Sequence, residues 1–506
     1  MKYSLLYIAL LIFIILGSSC RKDFNYQAST GNLSFSKDTI YLDTVFASLS
    51  SSTYGFKVYN KSNSDVEIPT IKLAKGLKSN YRLNVDGLSG KSFSNIPLFA
   101  KDSLYIFIEI TPITEDSDDN EFLDTDAILF DTGMYEQSVA LVTLIKDAVF
   151  LYPALLPNGN SQTIVLESDT NGVAIRSEGF ELTEEQLHFT NNKPYVIYGY
   201  ALVPKNKTLQ MDPGTRVHFH ENSGILVQKE GTLLINGAVS ASSTLLEKEV
   251  IFEGDRLEPT YSNIPGQWGT IWIAEGSINN TINHATIKNA TIGLIVEGMN
   301  NLTAPTLTLQ NSQIYNSQQL NLLAIHAKME VSNSVIANAG HTSVHLNKGG
   351  AYSFKHNTIA NYWASGFRTG VALKIDNLAT TEDNTLKEAN FINCIIDGNN
   401  THELQLLASP SSTFQFKFTN CLLKFATMDG TNEFYDFEND TYYSSIILNG
   451  ATNFQNPFKN GFRLTNTSAA LNNAEILTAQ EIPFDIHGND RTNAPDIGAH
   501  EYVLNN

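Results

Sequence analysis

The sequence predicts an all-β chain in which a long solenoid follows a smaller β-sandwich. Three observations carry that expectation. First, one phrase recurs between Asn283 and Leu423: an Asn, a small residue, any residue, then a branched aliphatic. It reads Asn311-Ser312-Gln313-Ile314, Asn333-Ser334-Val335-Ile336, Asn393-Cys394-Ile395-Ile396 and Asn420-Cys421-Leu422-Leu423, with a shortened Asn357-Thr358-Ile359 among them. The successive offsets are 22, 24, 36 and 27 residues, the period of a coil that stacks on copies of itself. Second, helical periodicity is missing over roughly 250 residues of this region, and the connections are too short for helical crossovers. Third, residues 33–146 alternate in short strands separated by polar turns, the texture of a sandwich.

Residues 1–19 read as an export signal. Lys2 gives the positive start, an apolar run follows from Leu5, and small residues end it at Gly17-Ser18-Ser19-Cys20. The run is short for a bilayer crossing. It resembles the signal of bacterial lipoproteins, which implies that Cys20 is the lipidated first residue of the mature chain, although Leu16 stands four places before the cysteine rather than three. Simple cleavage near Ser19 is the alternative. Acyl chains on Cys20 would anchor the protein to a membrane, and residues 20–32 would be its tether. The implied place is the cell envelope of a Gram-negative bacterium, as an outer-membrane lipoprotein facing the periplasm or the outside.

In the sandwich, strands are expected at 39–46, 56–59, 81–85, 105–110 and 139–144. An acidic run, Glu115, Asp116, Asp118, Asp119, Glu121, Asp124 and Asp126, interrupts them. Hard cations want several oxygen ligands from a short loop, so calcium is the one ion considered; a solvated hairpin loop is the other reading. No other cofactor or metal is expected. Residues 147–193 read as a transition and N-terminal cap, with Pro153, Pro157 and a short helix near Thr183. The solenoid then spans 194–506, with Pro213-Gly214 and Asn236-Gly237 at early corners.

Residues 203–237, followed by Gly266-Gln267-Trp268-Gly269, resemble the first coils of right-handed parallel β-helix lipoproteins. The ending Asp485-Ile486-His487-Gly488, Arg491 and Pro495-Asp496-Ile497-Gly498-Ala499-His500-Glu501 resembles the terminal motif of exported β-helices in the pectate-lyase-like superfamily. Residues 33–146 look like the immunoglobulin-like modules that precede such helices. The resemblance implies the fold; the superfamily's activities are too varied to imply a reaction.

Four groups are candidate sites. Trp268 and Trp272, if Ile271 and Ile273 face the core, would point outward together about 13 Å apart, a platform for sugar rings; the alternative is that they are covered. His218 and His220 share a face and could hold a metal, though no third ligand is evident. His341, His345 and His356 could gather with Arg368 or Lys374, but no acidic ladder accompanies Lys328, Lys348 and Lys355 through 311–370, as lyase chemistry on an acidic sugar would require. Asp485, Asp490, Arg491, Asp496, His500 and Glu501 have catalytic residue types, yet read as a cap closing the last coil.

The chain carries 33 Lys and Arg against 52 Asp and Glu, a net charge of −19, so phosphate attraction to nucleic acid is excluded as a driving force. The function expected is binding of a polysaccharide or an envelope protein along the solenoid. A polysaccharide lyase or glycoside hydrolase is the enzymatic alternative, and a structural or adhesive spacer the third. Exposed tryptophans beside an acid and a base favour an enzyme; exposed alone they favour binding; buried they favour the spacer. Acylation is directly testable: a fatty-acid analogue fed to cells should label the wild-type chain and leave a Cys20→Ala variant unlabelled, and equal labelling of both removes the anchor.

Overall fold

The structure is a computed structural model that describes residues 26–113, 121–168, 174–299, 303–378, 384–426 and 432–504. Cys20 and most of the acidic run, Glu115 to Asp119, lie outside them. Two compact units divide between Asp147 and Ala148.

The first unit is a β-sandwich. One sheet holds Ser34–Phe35, Tyr54–Tyr59, Ser103–Ile110, Tyr81–Val85 and Leu88–Gly90; the other holds Gln27–Ala28, Thr39–Phe46, Val66–Leu73, Ser92–Leu98, Glu121–Phe130 and Gln137–Lys146. Alternate residues face inward, as in Val139, Leu141, Thr143 and Ile145, and the two inner faces form one apolar core. Sequence reading missed the short strands Gln27–Ala28, Ser34–Phe35 and Leu88–Gly90 and three long ones. Val66–Leu73 and Ser92–Leu98 carry Pro69 and Pro97, and Glu121–Phe130 hides beneath acidic residues. Asp124 and Asp126 therefore sit on a strand, not in a loop. Asp124 accepts hydrogen bonds from Lys75 Nζ at 3.2 Å and Asn80 Nδ2 at 2.7 Å, and Asp126 accepts from the Lys75 amide at 3.1 Å.

The second unit is a right-handed parallel β-helix. Each coil crosses three sheets in turn, and the sheets contain eleven, ten and ten strands. Face 1 runs from Val149–Leu151 through Arg216–Phe219, Val250–Gly254, Ala285–Lys288 and Gln313–Ser317 to Ile447–Leu448; face 2 includes Ile271–Ile273, Ile292–Glu297, Leu320–Ile325, Thr342–Asn347 and Leu373–Asp376; face 3 includes Lys328–Ser332, Gly350–Lys355 and Leu386–Ile392. Coil-to-coil pairings are parallel, and parallel crossovers take the right-handed sense. The segment 147–193 is more than a transition: Val149–Leu151 and Ala174–Glu181 already pair into faces 1 and 2.

The recurrent phrase is the corner between faces 3 and 1. Its first residue takes a left-handed backbone: His284 (φ +46°), Asn311 (+50°), Asn333 (+54°), His356 (+53°), Asn393 (+56°) and Asn420 (+47°). Asn tolerates this conformation better than most residues because its short amide bonds locally. Asn333 Nδ2 donates to Asn311 Oδ1 at 2.6 Å, and Asn311 Nδ2 to Asn283 Oδ1 at 2.8 Å. The small second residue points inward and caps the corner amide of the preceding coil. The amide of Ala285 donates to Ser312 Oγ at 3.1 Å, that of Ser312 to Ser334 Oγ at 3.1 Å, that of Ser334 to Asn357 Oδ1 at 3.0 Å, and that of Cys394 to Cys421 Sγ at 3.4 Å. Small size and an acceptor atom are thus both selected. The shortened phrase is corrected by one place: His356 holds the left-handed position, and Asn357 the small-residue position.

Cys394 and Cys421 are adjacent, buried and unbridged. The inward aliphatics Ile314, Ile336, Ile359, Ile396 and Leu423 form one column of the core. On face 3, Phe354, Phe391, Phe418 and Tyr443 stack at centroid separations of 4.9, 4.7 and 5.8 Å.

The expected terminal cap is corrected. Residues 450–502 do not close the last coil; they fold back along the outside of face 1, where Phe454, Phe462, Leu464, Ile486, Ile497 and Ala499 cover Val335, Ala337, Ala360, Ile395 and Leu422. Outward aliphatics at those positions demand such a cover. The last coil is instead closed by Phe434, Tyr435, Phe437 and Tyr442 packed on the solenoid core that includes Phe416, Phe418 and Phe425.

Asn393 joins both systems, since its Oδ1 accepts from the Glu475 amide at 2.6 Å and its Nδ2 donates to Glu475 O and meets His356 Nε2, each at 2.9 Å. Asn393→Ala should cost about 2–4 kcal/mol, from the lost buried bonds and the left-handed backbone. Chemical denaturation measures it, and a loss below about 0.5 kcal/mol, the scale of a neutral surface change, would contradict the corner account.

Candidate functional site: the outer side of face 2

Parallel register stacks equivalent side chains of successive coils about 4.8 Å apart. On the outer side of face 2 one such column runs Leu226, Trp272, Ile295, Leu323, His345, Lys374 and Gln405. Beside it Ile325 and Asn347 pair in register, with Asp376 in the next coil. The hairpin of Thr163–Ser168 and Ala174–Glu181 roofs the early end: Ile164 and Leu166 pack with Tyr200, Leu226 and Trp272. Beyond that roof the column continues through Ile295 and Leu323 and becomes polar at His345.

His345 Nε2 lies 2.7 Å from Asp376 Oδ2, Lys374 Nζ 3.4 Å from the same oxygen, and Asn347 Nδ2 donates to Asp376 Oδ1 at 3.1 Å. The side chains of Asp376, His345 and Lys374 are 3, 14 and 23% exposed, so the carboxylate is the buried floor and the two bases face outward. Burial pushes Asp376 up, but the bond with His345 and the charges of His345 and Lys374 outweigh it and hold the carboxyl below its usual range. His341 stands on the same side, its imidazole held down by burial and by Lys374 and His345. A buried carboxylate that fixes an imidazole leaves the other ring nitrogen free to take or give a proton.

The structure brings His341, His345 and Lys374 together, but not His356 or Arg368. His356 is the corner residue described above. Arg368 is spent in a buried bidentate pair with Glu403, Nη2 to Oε1 at 2.7 Å and Nη1 to Oε2 at 3.0 Å. Glu403 also accepts from the amides of Ala372 and Asn400, each at 2.8 Å, so the pair pins the 362–371 insertion to the solenoid. Asp376 lies just past residues 311–370, the stretch in which the sequence shows no acidic ladder. A usable signal existed: Val344-His345-Leu346-Asn347 and Leu373-Lys374-Ile375-Asp376 are the same four positions of consecutive coils, concealed by the 37-residue coil between His356 and Asn393.

The tryptophan platform is corrected. Trp268 precedes the strand Ile271–Ile273, so alternation does not reach it. At the corner its indole turns inward, 1% exposed, stacks on Phe219 at 4.4 Å and donates from Nε1 to Lys288 O at 2.9 Å. Trp272 does face outward, half-buried under the hairpin.

His218 and His220 share the outer side of face 1 without a common ligand. His218 is buried 3.8 Å from Glu253, which pairs with Lys288 at 2.6 Å; His220 bonds Asp255 at 2.8 Å and stacks on Tyr198. Among the described residues, no group of three or more His, Cys, Asp or Glu is arranged to hold a metal ion.

The C-terminal charges hold the returning segment together. Asp485 accepts from the amides of His487, Asn489 and Glu501 at 2.8–2.9 Å. Asp496 accepts from the amides of Asn472 and Tyr502, and the exposed Asp490 from that of Thr492. The buried Arg491 donates to Asn333 Oδ1 at 3.0 Å and lies 3.5 Å from Glu501. None of these groups opens onto the face 2 column.

No family model and no curated protein matches the chain. Solved structures similar to it include the catalytic unit of a GH87 alpha-1,3-glucanase from Streptomyces thermodiastaticus strain HF3-3, at 11% identity over 79% of this chain and 89% of that one, with a TM-score of 0.25. A GH87 alpha-1,3-glucanase catalytic domain in complex with tetrasaccharides matches at 10% identity over 78% and 91%, TM-score 0.20. The ASH/PapD-like domain of human CEP192 matches at 12% identity over 26% of this chain and 94% of that domain, TM-score 0.16. At these scores the likenesses carry nothing about chemistry.

The returning segment has a testable pH response. Burial, with Arg463 beside it, pushes His487 down to about 4; burial, aided by Arg491, also depresses His356 and His500, and burial depresses His284. Each imidazole is neutral when folded, so its stabilising contribution is complete above the unfolded value of 6.5 and falls as pH drops toward 4. Glu501, pushed up to about 8 by burial, and Asp496, also raised, act oppositely. With four imidazoles against two carboxyls, the net change expected below pH 6.5 is a loss of stability. Hydrogen-exchange protection of amides 485–500, corrected for intrinsic rates, should fall between pH 6.5 and pH 4; constant protection would contradict this balance.

Proposed function

We propose that the protein is a lipid-anchored cell-envelope protein that binds a glycan along the outer side of face 2. One observation carries the reading: a half-buried apolar strip, Ile295, Leu323 and Ile325, that continues without interruption into His345, Asn347, Lys374 and Asp376. An extended sugar chain offers C–H faces to the first part and hydroxyls or carboxyls to the second. Rigid strands hold both, so little ordering entropy is lost on binding. The tryptophan pair gives no support, since Trp268 is in the core; on that criterion alone the spacer would be favoured. A buried carboxylate supporting two outward bases is more than a spacer needs.

A second reading is favoured by His345 and Asp376: a carbohydrate-active enzyme in which the oriented imidazole abstracts a proton and Lys374 meets the negative charge that develops. This is lyase chemistry: the glycosidic C–O bond breaks as the C=C bond forms, and the leaving oxygen is protonated by the imidazolium or by water. Hydrolysis by paired carboxyls is disfavoured, because Asp376 and Glu403 are each buried and already paired.

The test is a glycan array probed with the chain lacking residues 1–20, followed by affinity measurement on the strongest hit. His345→Ala and Lys374→Ala should each weaken binding by on the order of tenfold, about 1.4 kcal/mol. A hit bound equally by both variants, or no hit at all, removes the reading. Absorbance of an unsaturated product would promote the enzymatic one.

A further inference from the structure

We infer that the N-terminal sandwich carries its own binding site for a neutral pyranose oligosaccharide, on the outer side of the sheet that contains Ser103–Ile110. In that strand Ile106, Ile108 and Ile110 face the core, which sends Tyr105 and Phe107 outward, 50 and 43% exposed. Their rings are parallel within 7°, with centroids 5.9 Å apart. Across the sheet Phe107 is opposite Gly55, and a β-carbon there would lie 3.4 Å from two atoms of its ring. The Phe107 ring therefore lies over Gly55 of the neighbouring strand, where a β-carbon would be in ordinary van der Waals contact with it. Lys57 Nζ sits 4.6 Å from the Tyr105 centroid and fixes the second ring.

On the other side of Phe107 a cleft of about 390 Å³ is walled by Thr53, Arg82, Asn84, Ser89 and Glu109. These groups are held in place: Arg82 Nε donates to Glu109 Oε2 at 2.7 Å and Nη1 to Thr111 Oγ1 at 2.6 Å, Thr53 Oγ1 donates to Glu109, and Asn84 Nδ2 donates to Ser89 Oγ at 3.3 Å. An aromatic face beside fixed amide, hydroxyl and carboxylate groups suits a pyranose, whose C–H face is apolar and whose edge hydroxyls both give and accept hydrogen bonds. Arg82 is neutralised by Glu109 at 2.6 Å and Lys57 lies over Tyr105, outside the cleft, so the cleft walls carry no spare charge for an anionic sugar; the ligand class is neutral. This site does not rest on the face 2 reading.

The test is native electrophoresis of the chain lacking residues 1–20 through gels containing dextran, galactomannan, xyloglucan or xylan, each neutral or nearly so. At least one polymer should retard the wild-type chain. Tyr105→Ala/Phe107→Ala should weaken that retardation by about tenfold or more. Tyr105→Leu/Phe107→Leu keeps apolar bulk without a flat face and should lose it equally, while His345→Ala/Lys374→Ala should keep it. The inference is overturned if no polymer retards the chain, if both aromatic variants run like wild type, or if only the His345→Ala/Lys374→Ala chain loses retardation. It is overturned too if sedimentation shows that the rings pair two copies of this chain, with a dimer that the aromatic variants abolish.

Discussion

The corner amide is the constraint on which the β-helix depends. A coil that turns between sheets leaves a backbone N–H facing the interior, and an unmet N–H there costs on the order of 1–3 kcal/mol. Ser312, Ser334, Asn357 and Cys421 meet those amides from the next coil. The preceding residue bends the chain through a left-handed conformation to bring them there. Because a coil satisfies the one before it at these four corners, register is transmitted along the solenoid. A slip of one residue would both orphan the amides and turn the aliphatic column outward.

Fixed register makes the outer surface a set of columns, and the columns differ in how they are used. On face 1 the outward positions of the later coils are aliphatic and are taken by the returning C-terminal segment. Face 3 presents Thr308, Glu330, Ser353 and Asn390 in one line, a solvated surface with nothing converging on it. On face 2, half-buried apolar and ionisable side chains follow one another beyond the hairpin among the described residues. The Arg368–Glu403 pair belongs to that same region. Burying such a pair adds little net stability, but it secures the long insertion beside Lys374 and Asp376, and so contributes the rigidity a site needs.

Much of the fold was legible because periodicity survives in sequence. The Asn-small-x-aliphatic phrase, with its offsets of 22 to 36 residues, marks the coil. What it concealed follows from three physical substitutions. His356 can replace Asn in a left-handed corner, so the phrase slipped by a residue there. A tryptophan beside a glycine at a corner does not obey strand alternation, so Trp268 was turned the wrong way. Outward aliphatics such as Ile395 and Leu422 looked like ordinary strand residues, although an aliphatic on an outer face signals that something covers it. The candidate site was half legible: His341, His345 and Lys374 were named, but Asp376, which organises them, could be placed only through the register of consecutive coils.

The returning segment shows why catalytic residue types are a poor guide by themselves. Arg491, Asp496, His500 and Glu501 are gathered, buried and perturbed, as active-site groups are, and the buried Asp485 stands among them. Their polar atoms nevertheless point at backbone. Asp485 receives three amides, Asp496 two, and Arg491 reaches Asn333 and the carbonyls of Gly498 and Ala499. A segment with little regular structure must satisfy its own backbone when it covers an apolar sheet, and charged side chains do this with the strongest hydrogen bonds available. The corner asparagines then serve twice, since Asn333 and Asn393 close their coils and also receive the clasp. That double use ties the segment to the solenoid's register, because only correctly stacked coils present both residues to it.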